Sequence, residues 1–179
     1  MKIKAVAILL ALVMLVVVSG QVVASSLNVN DPAVLKDLAK VRNATAKYHD
    51  VENALADGFV ADPVCVAEDG FGGMGIHYVN YERVMDPELN LLEPEILLYA
   101  PSGDGLKLVG VEYMFAIGAP DTEVPDFPPD SPILFGREFD GPMLGHGPGQ
   151  PPHYDLHVWV WQPNPSGMFA MFNPKVSCD

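Results

Sequence analysis

The residues best suited to chemistry lie in the segment HYDLH, where His153, Asp155 and His157 fall at every second position. In an extended strand every second side chain lies on the same face, so these three residues are expected to share one face of a sheet. Neutral imidazole and carboxylate groups are common protein ligands of zinc, copper, iron and manganese. The segment therefore predicts a sheet face that binds a divalent transition metal.

Spacing decides which residues can bind the same ion. Along a straight strand His153 and His157 are about 13 Å apart, whereas a histidine binds a metal only about 6 Å from its own Cα. Ligands from separate strands converge more easily, so we predict that His77 and Glu112 join His157 around the ion. His153 is then expected at the mouth of the site, as a further ligand or a proton shuttle. Asp155 either binds the ion or orients a neighbouring imidazole.

Two other histidines and an alternative interpretation complete the candidate set. His146 lies in a Gly/Pro-rich segment and is a candidate ligand or part of a lid, while His49 lies on a predicted helix and faces elsewhere. The same cluster can also form a buried hydrogen-bonded network without an ion, because buried polar groups are normally paired. The sequence leaves both interpretations open.

The elements that must position these residues are one helix and an antiparallel sheet. Apolar residues recur every three or four positions between Asn30 and Asp57, which predicts one long helix with an apolar stripe. The runs EILLYA and LKLVGVEYMFAI flank the turn PSGDG and predict a hairpin, and GIHYVN and HYDLHVWVW predict further strands. We therefore expect an α+β fold, with the helix packed on one face of the sheet and the metal site on the other.

Strand alternation assigns individual side chains to the two faces. In the last predicted strand, four residues are expected to face the helix: Tyr154, Leu156, Val158 and Val160. In the longer arm of the hairpin, the same face is expected to carry Val109, Val111, Tyr113, Phe115 and Ile117. Trp159 and Trp161 would then line a pocket on the polar face. Between Ile117 and Pro152, 15 of 36 residues are Pro or Gly, and we expect this long loop to cover the polar face and shield both tryptophans.

The N-terminal residues predict export. Residues 1–24 combine Lys2 and Lys4 with a long apolar run and small residues near a cleavage point, which indicates a signal peptide; an uncleaved membrane anchor is the alternative. Residues 25–179 suffice for a single domain. The protein would then be periplasmic, cell-surface or extracellular, with no stable membrane span after cleavage. Cys65 and Cys178 are expected to form a disulfide there, although two separate thiols also fit the sequence.

Composition and motif context argue against other classes of protein. The formal net charge is −13, so nucleic acid is a poor partner. The stretch GFGGMG has the spacing of a dinucleotide-binding turn, but it precedes a predicted strand instead of a helix, and we interpret it as a flexible turn. The sequence also contains no G-x-S-x-G segment of the kind that presents a nucleophilic serine.

Several blocks of the chain together resemble a group of exported, mostly bacterial proteins of unassigned function: YHDVENALADGF, GMGIHYVN, LLY with LVGVEY, and HYDLHVWVWQPNPSGMF with NPKVSC. The resemblance covers most of residues 25–179 and implies no activity. Three classes of function remain. The first is an exported metal-binding protein, with or without enzyme activity. The second is a binding module for a small apolar or aromatic molecule, and the third is a structural surface protein.

Overall fold

A computed structural model describes residues 28–179, so the predicted signal peptide lies outside the described residues. These residues have an α+β fold. The helices are α1 (Pro32–Thr45), a 3-10 turn (Ala46–His49), α2 (Val51–Ala56) and α3 (Tyr81–Val84). The strands are β1 (Val60–Glu68), β2 (Gly72–Val79), β3 (Ile96–Ser102), β4 (Gly105–Ala116), β5 (Ile133–Leu134), β6 (Arg137–Glu138), β7 (Asp140–Met143) and β8 (His153–Val158).

Within the described residues, six strands form one antiparallel sheet in the order β1, β2, β3, β4, β8, β7, and β5 pairs with β6. The predicted hairpin of β3 and β4 and the predicted strands β2 and β8 are confirmed. The sequence interpretation missed β1, because Pro63 and two acidic residues interrupt its apolar pattern. Within residues 28–179, no helix is both long enough and apolar enough to cross a membrane.

The prediction of one long helix from Asn30 to Asp57 is wrong. The first helix begins as expected, because the Asp31 side chain accepts a hydrogen bond from the backbone N–H of Ala33. After Thr45 the chain tightens into the 3-10 turn and becomes extended at Asp50, whose side chain caps α2. The apolar spacing in the sequence therefore runs on through Asp50, although the helix itself is interrupted there because Asp50 caps a second helix.

The main core lies between these helices and one face of the sheet. It contains the buried residues Val34, Leu38 and Val41 of α1 together with Tyr154, Leu156, Val158 and Val160. The prediction that these four residues of the last strand face the helix is confirmed. We refer to this surface as the helix face of the sheet and to the opposite surface as the far face.

The predicted alternation along β4 holds only in its second half. Val111 and Tyr113 lie in the helix-face core as expected, but Val109 packs in the far-face core and Leu108 takes its place on the helix face. The reason is a register shift: Leu98 of β3 pairs with Gly110, whereas the next residue, Tyr99, pairs with Leu108. One extra residue in β4 reverses the faces at this point.

The long Gly/Pro-rich loop contacts both faces, which differs from the prediction. Its buried aromatic side chains, Phe135 and Phe139, enter the helix-face core. Its strand β7 extends the sheet beside β8. Only the end of the loop, with His146 and Gln150, reaches the far face. The loop therefore borders the predicted site, while most of its apolar residues complete the core on the other side.

The C-terminal segment covers another part of the far face. Cys65 of β1 and Cys178 form the predicted disulfide. Val176 packs in the far-face core, and Asn173 pairs with Gly73 through two backbone hydrogen bonds. The stretch GFGGMG is mostly part of β2 rather than a flexible turn, and Gly72 is needed there because a Cβ would lie 2.2 Å from the Asn173 carbonyl oxygen.

Candidate metal centre

Three strands bring His77, Glu112 and His157 together on the far face. Glu112 of β4 pairs directly with His157 of β8, so their side chains are neighbours across the ladder. His77 lies on β2, one strand beyond β3, and its side chain reaches over β3 towards Glu112. A positive φ at Gly75 allows β2 to approach Tyr99 closely just before this histidine.

The three side chains present a compact set of ligand atoms. The carboxylate oxygen Oε2 of Glu112 lies 3.3 Å from Nε2 of His77 and 3.6 Å from Nε2 of His157. The two imidazole rings are 6.4 Å apart between centroids and nearly perpendicular. One ligand atom from each residue lies within 4.8 Å of the others, which is close enough to hold one metal ion. The predicted convergence of His77, Glu112 and His157 is therefore present.

Burial leaves polar atoms around this cluster without partners. Among the described residues, five buried side-chain atoms make no hydrogen bond: Oε2 of Glu112, Nε2 of His153, Oδ1 of Asp155, and both ring nitrogens of His157. A buried polar atom without a partner typically costs about 1–3 kcal/mol. All five atoms lie in one region of the far face, and a cation held by His77, Glu112 and His157 would bind two of them, Oε2 of Glu112 and Nε2 of His157.

The pKa shifts of the three side chains are relevant to whether they can bind a cation. Burial alone would raise the pKa of Glu112, but the imidazoles of His157 and His77 outweigh burial and lower the pKa to about 2. Glu112 is therefore ionised at neutral pH. Burial lowers the pKa of His157, which keeps its imidazole neutral and able to bind a metal. Burial alone would lower the pKa of His77, but the close contact with the Glu112 carboxylate outweighs burial and raises it.

Asp155 lies between two histidines without a close contact to either. Its Oδ1 is 3.8 Å from Nδ1 of His157, and its Oδ2 is 3.9 Å from Nε2 of His153. Burial, and then the negative charge of Glu112, raise the pKa of Asp155 to about 8. The carboxyl group is therefore largely neutral at pH 7. Its position beside His157 fits the predicted orienting role, because Glu112 occupies the other side of that ring.

His153 does not lie at the mouth of the site, and that prediction is wrong. The residue is completely buried, and its Nδ1 lies 2.9 Å from the carbonyl oxygen of Pro151. Because a carbonyl only accepts hydrogen bonds, Nδ1 carries the proton and Nε2 has the free lone pair. His153 also lies outside the set of three ligands, with Asp155 between it and His157. His146 takes the outer position instead, 5.0 Å from the His153 ring between centroids.

A cavity of about 300 Å³ adjoins the three ligand residues, which form part of its wall. The rest of the wall is largely apolar and includes Val66, Met74, Val79, Val84, Ile96 and Met114. Asp62, Tyr81, His146 and Gln150 also border the cavity, and Tyr81 and His146 are exposed at the surface. A molecule in the cavity would therefore contact hydrocarbon on most sides and the polar cluster on one.

The predicted tryptophan pocket is wrong. Neither Trp159 nor Trp161 is part of the cavity wall. Trp159 is buried beside the His157 ring, 6.5 Å away between centroids, and donates a hydrogen bond to the Ala170 carbonyl. Trp161 lies on the helix side, where its ring contacts His49. Alternation holds for Trp159, which packs in the far-face core, but fails at Trp161, because β8 ends at Val158 and the chain then turns.

Sequence reasoning missed Glu95, which is 2% exposed. Its Oε2 accepts a hydrogen bond from the backbone N–H of Met114, two residues from Glu112. Burial raises the pKa of Glu95 to about 8, so the group is largely protonated at neutral pH. Nothing in the spacing distinguishes Glu95 from the exposed Glu93, because only the pairing of β3 with β4 brings Met114 within its reach.

The arrangement can bind a cation and hold a small molecule beside it. Two imidazoles and one carboxylate supply three ligand atoms, and the cavity provides space next to them. Comparison of the chain with protein-family models, curated proteins and solved structures finds no match. The chemistry of the site must therefore be argued from these side chains.

Proposed function

We propose that this is an exported protein that binds one divalent transition-metal ion through His77, Glu112 and His157. The observation that carries the proposal is the convergence of these three side chains from three separate strands. Their ligand atoms lie within 4.8 Å of one another in a largely buried position. Two imidazoles and an ionised carboxylate are chemically suited to zinc, iron, copper or manganese.

A metal ion explains the cluster better than a hydrogen-bonded network does. In a network, each buried donor and acceptor would find a partner within about 3.2 Å. Here the contacts of His157 with Glu112 and Asp155 are 3.6 and 3.8 Å long, and neither ring nitrogen has a partner among the described residues. An ion between the three ligand atoms would bind Nε2 of His157 and Oε2 of Glu112 together.

The ligand number favours a reactive site over a purely structural one. Structural zinc usually has four protein ligands, whereas catalytic zinc has three and an exchangeable fourth position. Two histidines and one carboxylate also form the usual site of non-haem iron(II) oxygenases. A metal in such a site supplies Lewis acidity and lowers the pKa of bound water. This chain would contribute the ligands, an ionised Glu112 and the adjoining apolar cavity.

Export is supported by the disulfide between Cys65 and Cys178, because such bonds persist mainly in oxidising compartments. The N-terminal Lys residues and apolar run add the pattern of a signal peptide. The acidic composition, with a net charge of −13, argues for a metal ion or a small molecule as the partner instead of nucleic acid.

The proposal is tested by elemental analysis of exported protein purified without a histidine tag. We expect about one equivalent of a transition metal in the wild type and a loss of more than about tenfold in His77→Ala and in His157→Ala. His49→Ala is the matched control, because His49 is exposed and contacts Trp161 on the helix side. Equal metal content in all four proteins, or none in the wild type after dialysis against each metal, would contradict the proposal.

A further inference from the structure

The cavity beside the three ligand residues has the form of a binding site for a second molecule. His77, Glu112 and His157 all border it, so an ion bound to them would lie at its wall. Three protein ligands leave at least one coordination position open, and the cavity provides space for a further ligand beside the three residues. Resting on the proposed function, we infer that the cavity binds a small neutral, largely apolar molecule whose single nitrogen or oxygen donor binds the metal.

The lining explains why the molecule must be apolar. Met74 and Val79 of β2, Ile96 of β3 and Met114 of β4 border the cavity, and Val84 of α3 adds a further aliphatic side chain. Water in contact with such a wall makes few hydrogen bonds, and hydrocarbon displaces it favourably. The polar groups of the cavity are concentrated at the cluster and near the surface. A ligand therefore needs one polar end, directed at the metal, and an apolar body.

Charge explains why the molecule is expected to be neutral. The carboxyl groups of Glu112 and Asp62 both border the cavity, and their two formal negative charges would offset the two positive charges of a bound divalent ion. The chain as a whole carries a net charge of −13, so an anion would approach against an unfavourable field. The apolar wall in turn offers an ammonium group no partner away from the metal, and burial of an unpaired charge is costly.

The volume sets the size of the ligand. An engineered apolar cavity of about 150 Å³ accommodates benzene, which has six non-hydrogen atoms. The cavity here is about 300 Å³. By proportion it accommodates about twelve non-hydrogen atoms. An imidazole ring carrying an alkyl chain of about seven carbons reaches this size and serves as a neutral probe with one free nitrogen donor.

The test measures binding of 1-alkylimidazoles, from methyl to decyl, at a pH where they are neutral. Cobalt(II) replaces the native metal, since its visible spectrum reports a change of ligand, and calorimetry gives the affinity. We expect each added CH₂ to strengthen binding by up to about fourfold, until the cavity is full near heptyl. The visible spectrum should change with every member of the series. The metal-free protein should show the same dependence on chain length with weaker affinities.

Two variants test whether the dependence of affinity on chain length arises in the cavity. Val66→Trp places a large side chain in the wall, and at equal cobalt occupancy the gain per CH₂ should disappear. Val64→Trp is the matched control, because Val64 lies on the same strand but is 59% exposed and does not border the cavity. If Val66→Trp fails to fold, Met74→Ala gives an independent test. It enlarges the cavity by about three non-hydrogen atoms, so the optimum chain should lengthen by about three carbons.

The possible outcomes separate this inference from the proposed function. If cobalt binds but the affinity is independent of chain length, the ligand inference is overturned and the metal site stands. The inference is also overturned if Val66→Trp and Val64→Trp weaken binding equally. If cobalt does not bind, the proposed function fails, and the metal-free titration still decides whether the cavity accepts an apolar molecule. A chain-length dependence in that titration would support the apolar cavity, and its absence would overturn it.

Discussion

The two faces of the sheet bury polar groups in different ways. On the helix face, the hydroxyl groups of Tyr99, Tyr113 and Tyr154 each donate a hydrogen bond to a backbone carbonyl, at 2.6, 2.6 and 2.9 Å. On the far face, His157 and Glu112 are equally buried, yet three of their polar atoms have no partner among the described residues. Both faces arise from the same strands and the same alternation of side chains.

The paired hydroxyl groups of the helix face and the unpaired polar atoms of the far face have opposite effects on stability within one sheet. A tyrosine that donates to a carbonyl satisfies its own burial and fixes the packing around it. A cluster of imidazoles and carboxyls with contacts of 3.3 to 3.9 Å remains incompletely paired and lowers stability. Such a cluster is expected where a ligand supplies the missing interactions. The helix face therefore stabilises the fold, and the far face carries the buried polar groups that remain unpaired.

The largest effect is expected from the disulfide, which attaches the C-terminal segment to β1 on the far face. Cys65 and Cys178 are 113 residues apart, so their bond restricts the unfolded chain strongly. In the double variant Cys65→Ser, Cys178→Ser, we expect the free energy of unfolding to fall by about 4–5 kcal/mol. Chemical denaturation measures this change. Hydrogen exchange should show that the backbone bonds between Asn173 and Gly73 open before those of the helix-face core.

If the far face is the less stable of the two, its C-terminal segment must lose protection from hydrogen exchange before the helix-face core does. Simultaneous loss of protection on both faces in the disulfide variant would show that they form one cooperative unit. The C-terminal segment over the far face would then be no less stable than the helix-face core. A variant with unchanged stability would contradict the assignment of the disulfide as a major constraint on the C-terminal segment.

The next largest effect is stabilisation by the metal. At a free zinc concentration of about 1,000 times Kd, binding to the folded state adds about 4 kcal/mol. For a chain of this size that raises Tm by about 8–16 °C. Glu112→Gln should abolish the shift, because it removes the charged ligand. Tyr99→Phe should lower Tm by about 3–6 °C through a lost hydrogen bond, while the shift with zinc persists.

Glu112→Gln and Tyr99→Phe together compare the two faces by two quantities, the Tm without zinc and the shift in Tm caused by zinc. Differential scanning calorimetry with and without zinc gives both numbers for each protein. If Tyr99→Phe removed the zinc shift, or if Glu112→Gln kept it, the helix face and the far face would not divide stability from binding as we infer.

Much of the fold could be predicted from local patterns. Alternation in HYDLHV placed Leu156 and Val158 towards the helix and His157 away from it, because the strand is regular over those residues. The errors occur where regular structure ends or shifts. The extra residue near Val109 reverses two side chains, and Asp50 breaks the helix by capping a second one. Neither feature changes the hydrophobic pattern enough to be seen in the sequence.

The site could be predicted in part for a similar reason. His77, Glu112 and His157 lie on regular strands, so their shared face followed from alternation and from the limited reach of an imidazole. The position of His153 did not, because it depends on the packing of the loop end and on a contact with the Pro151 carbonyl. Glu95 was missed because its partner is a backbone N–H on another strand. Contacts of this kind depend on tertiary structure.

A smaller effect is expected from Glu95 as the pH changes. Its pKa is raised from an ordinary value of 4.5 to about 8, chiefly by burial. Below pH 4.5 the group is protonated in both the folded and unfolded states. Between pH 4.5 and 8 only the unfolded state loses the proton readily, so Glu95 should lower the free energy of unfolding as the pH rises, with a slope of up to about 1.4 kcal/mol per pH unit.

Glu95→Gln should remove this contribution, because the amide keeps the shape of the protonated acid without ionising. The measurement is the difference in unfolding free energy between variant and wild type from pH 4 to 9. The difference isolates Glu95 from Asp155, whose pKa is also raised to about 8. A difference that does not change with pH would mean that Glu95 is ionised in the folded protein.

The smallest effect is expected at Asp155, which lies behind the proposed ligand His157. When Nε2 of His157 binds the ion, Nδ1 carries a proton and needs an acceptor, and Oδ1 of Asp155 lies 3.8 Å away. Asp155→Asn keeps the shape and an acceptor oxygen, but it cannot ionise, whereas the positive charge of a bound metal would favour the ionised form of Asp155 and so strengthen the imidazole as a ligand. We expect the affinity for zinc to fall by about 10- to 100-fold in competition with a chelator. Asp104→Asn, in the exposed turn between β3 and β4, should leave it unchanged. A loss as complete as in His157→Ala would make Asp155 a ligand itself, and no loss would remove it from the site.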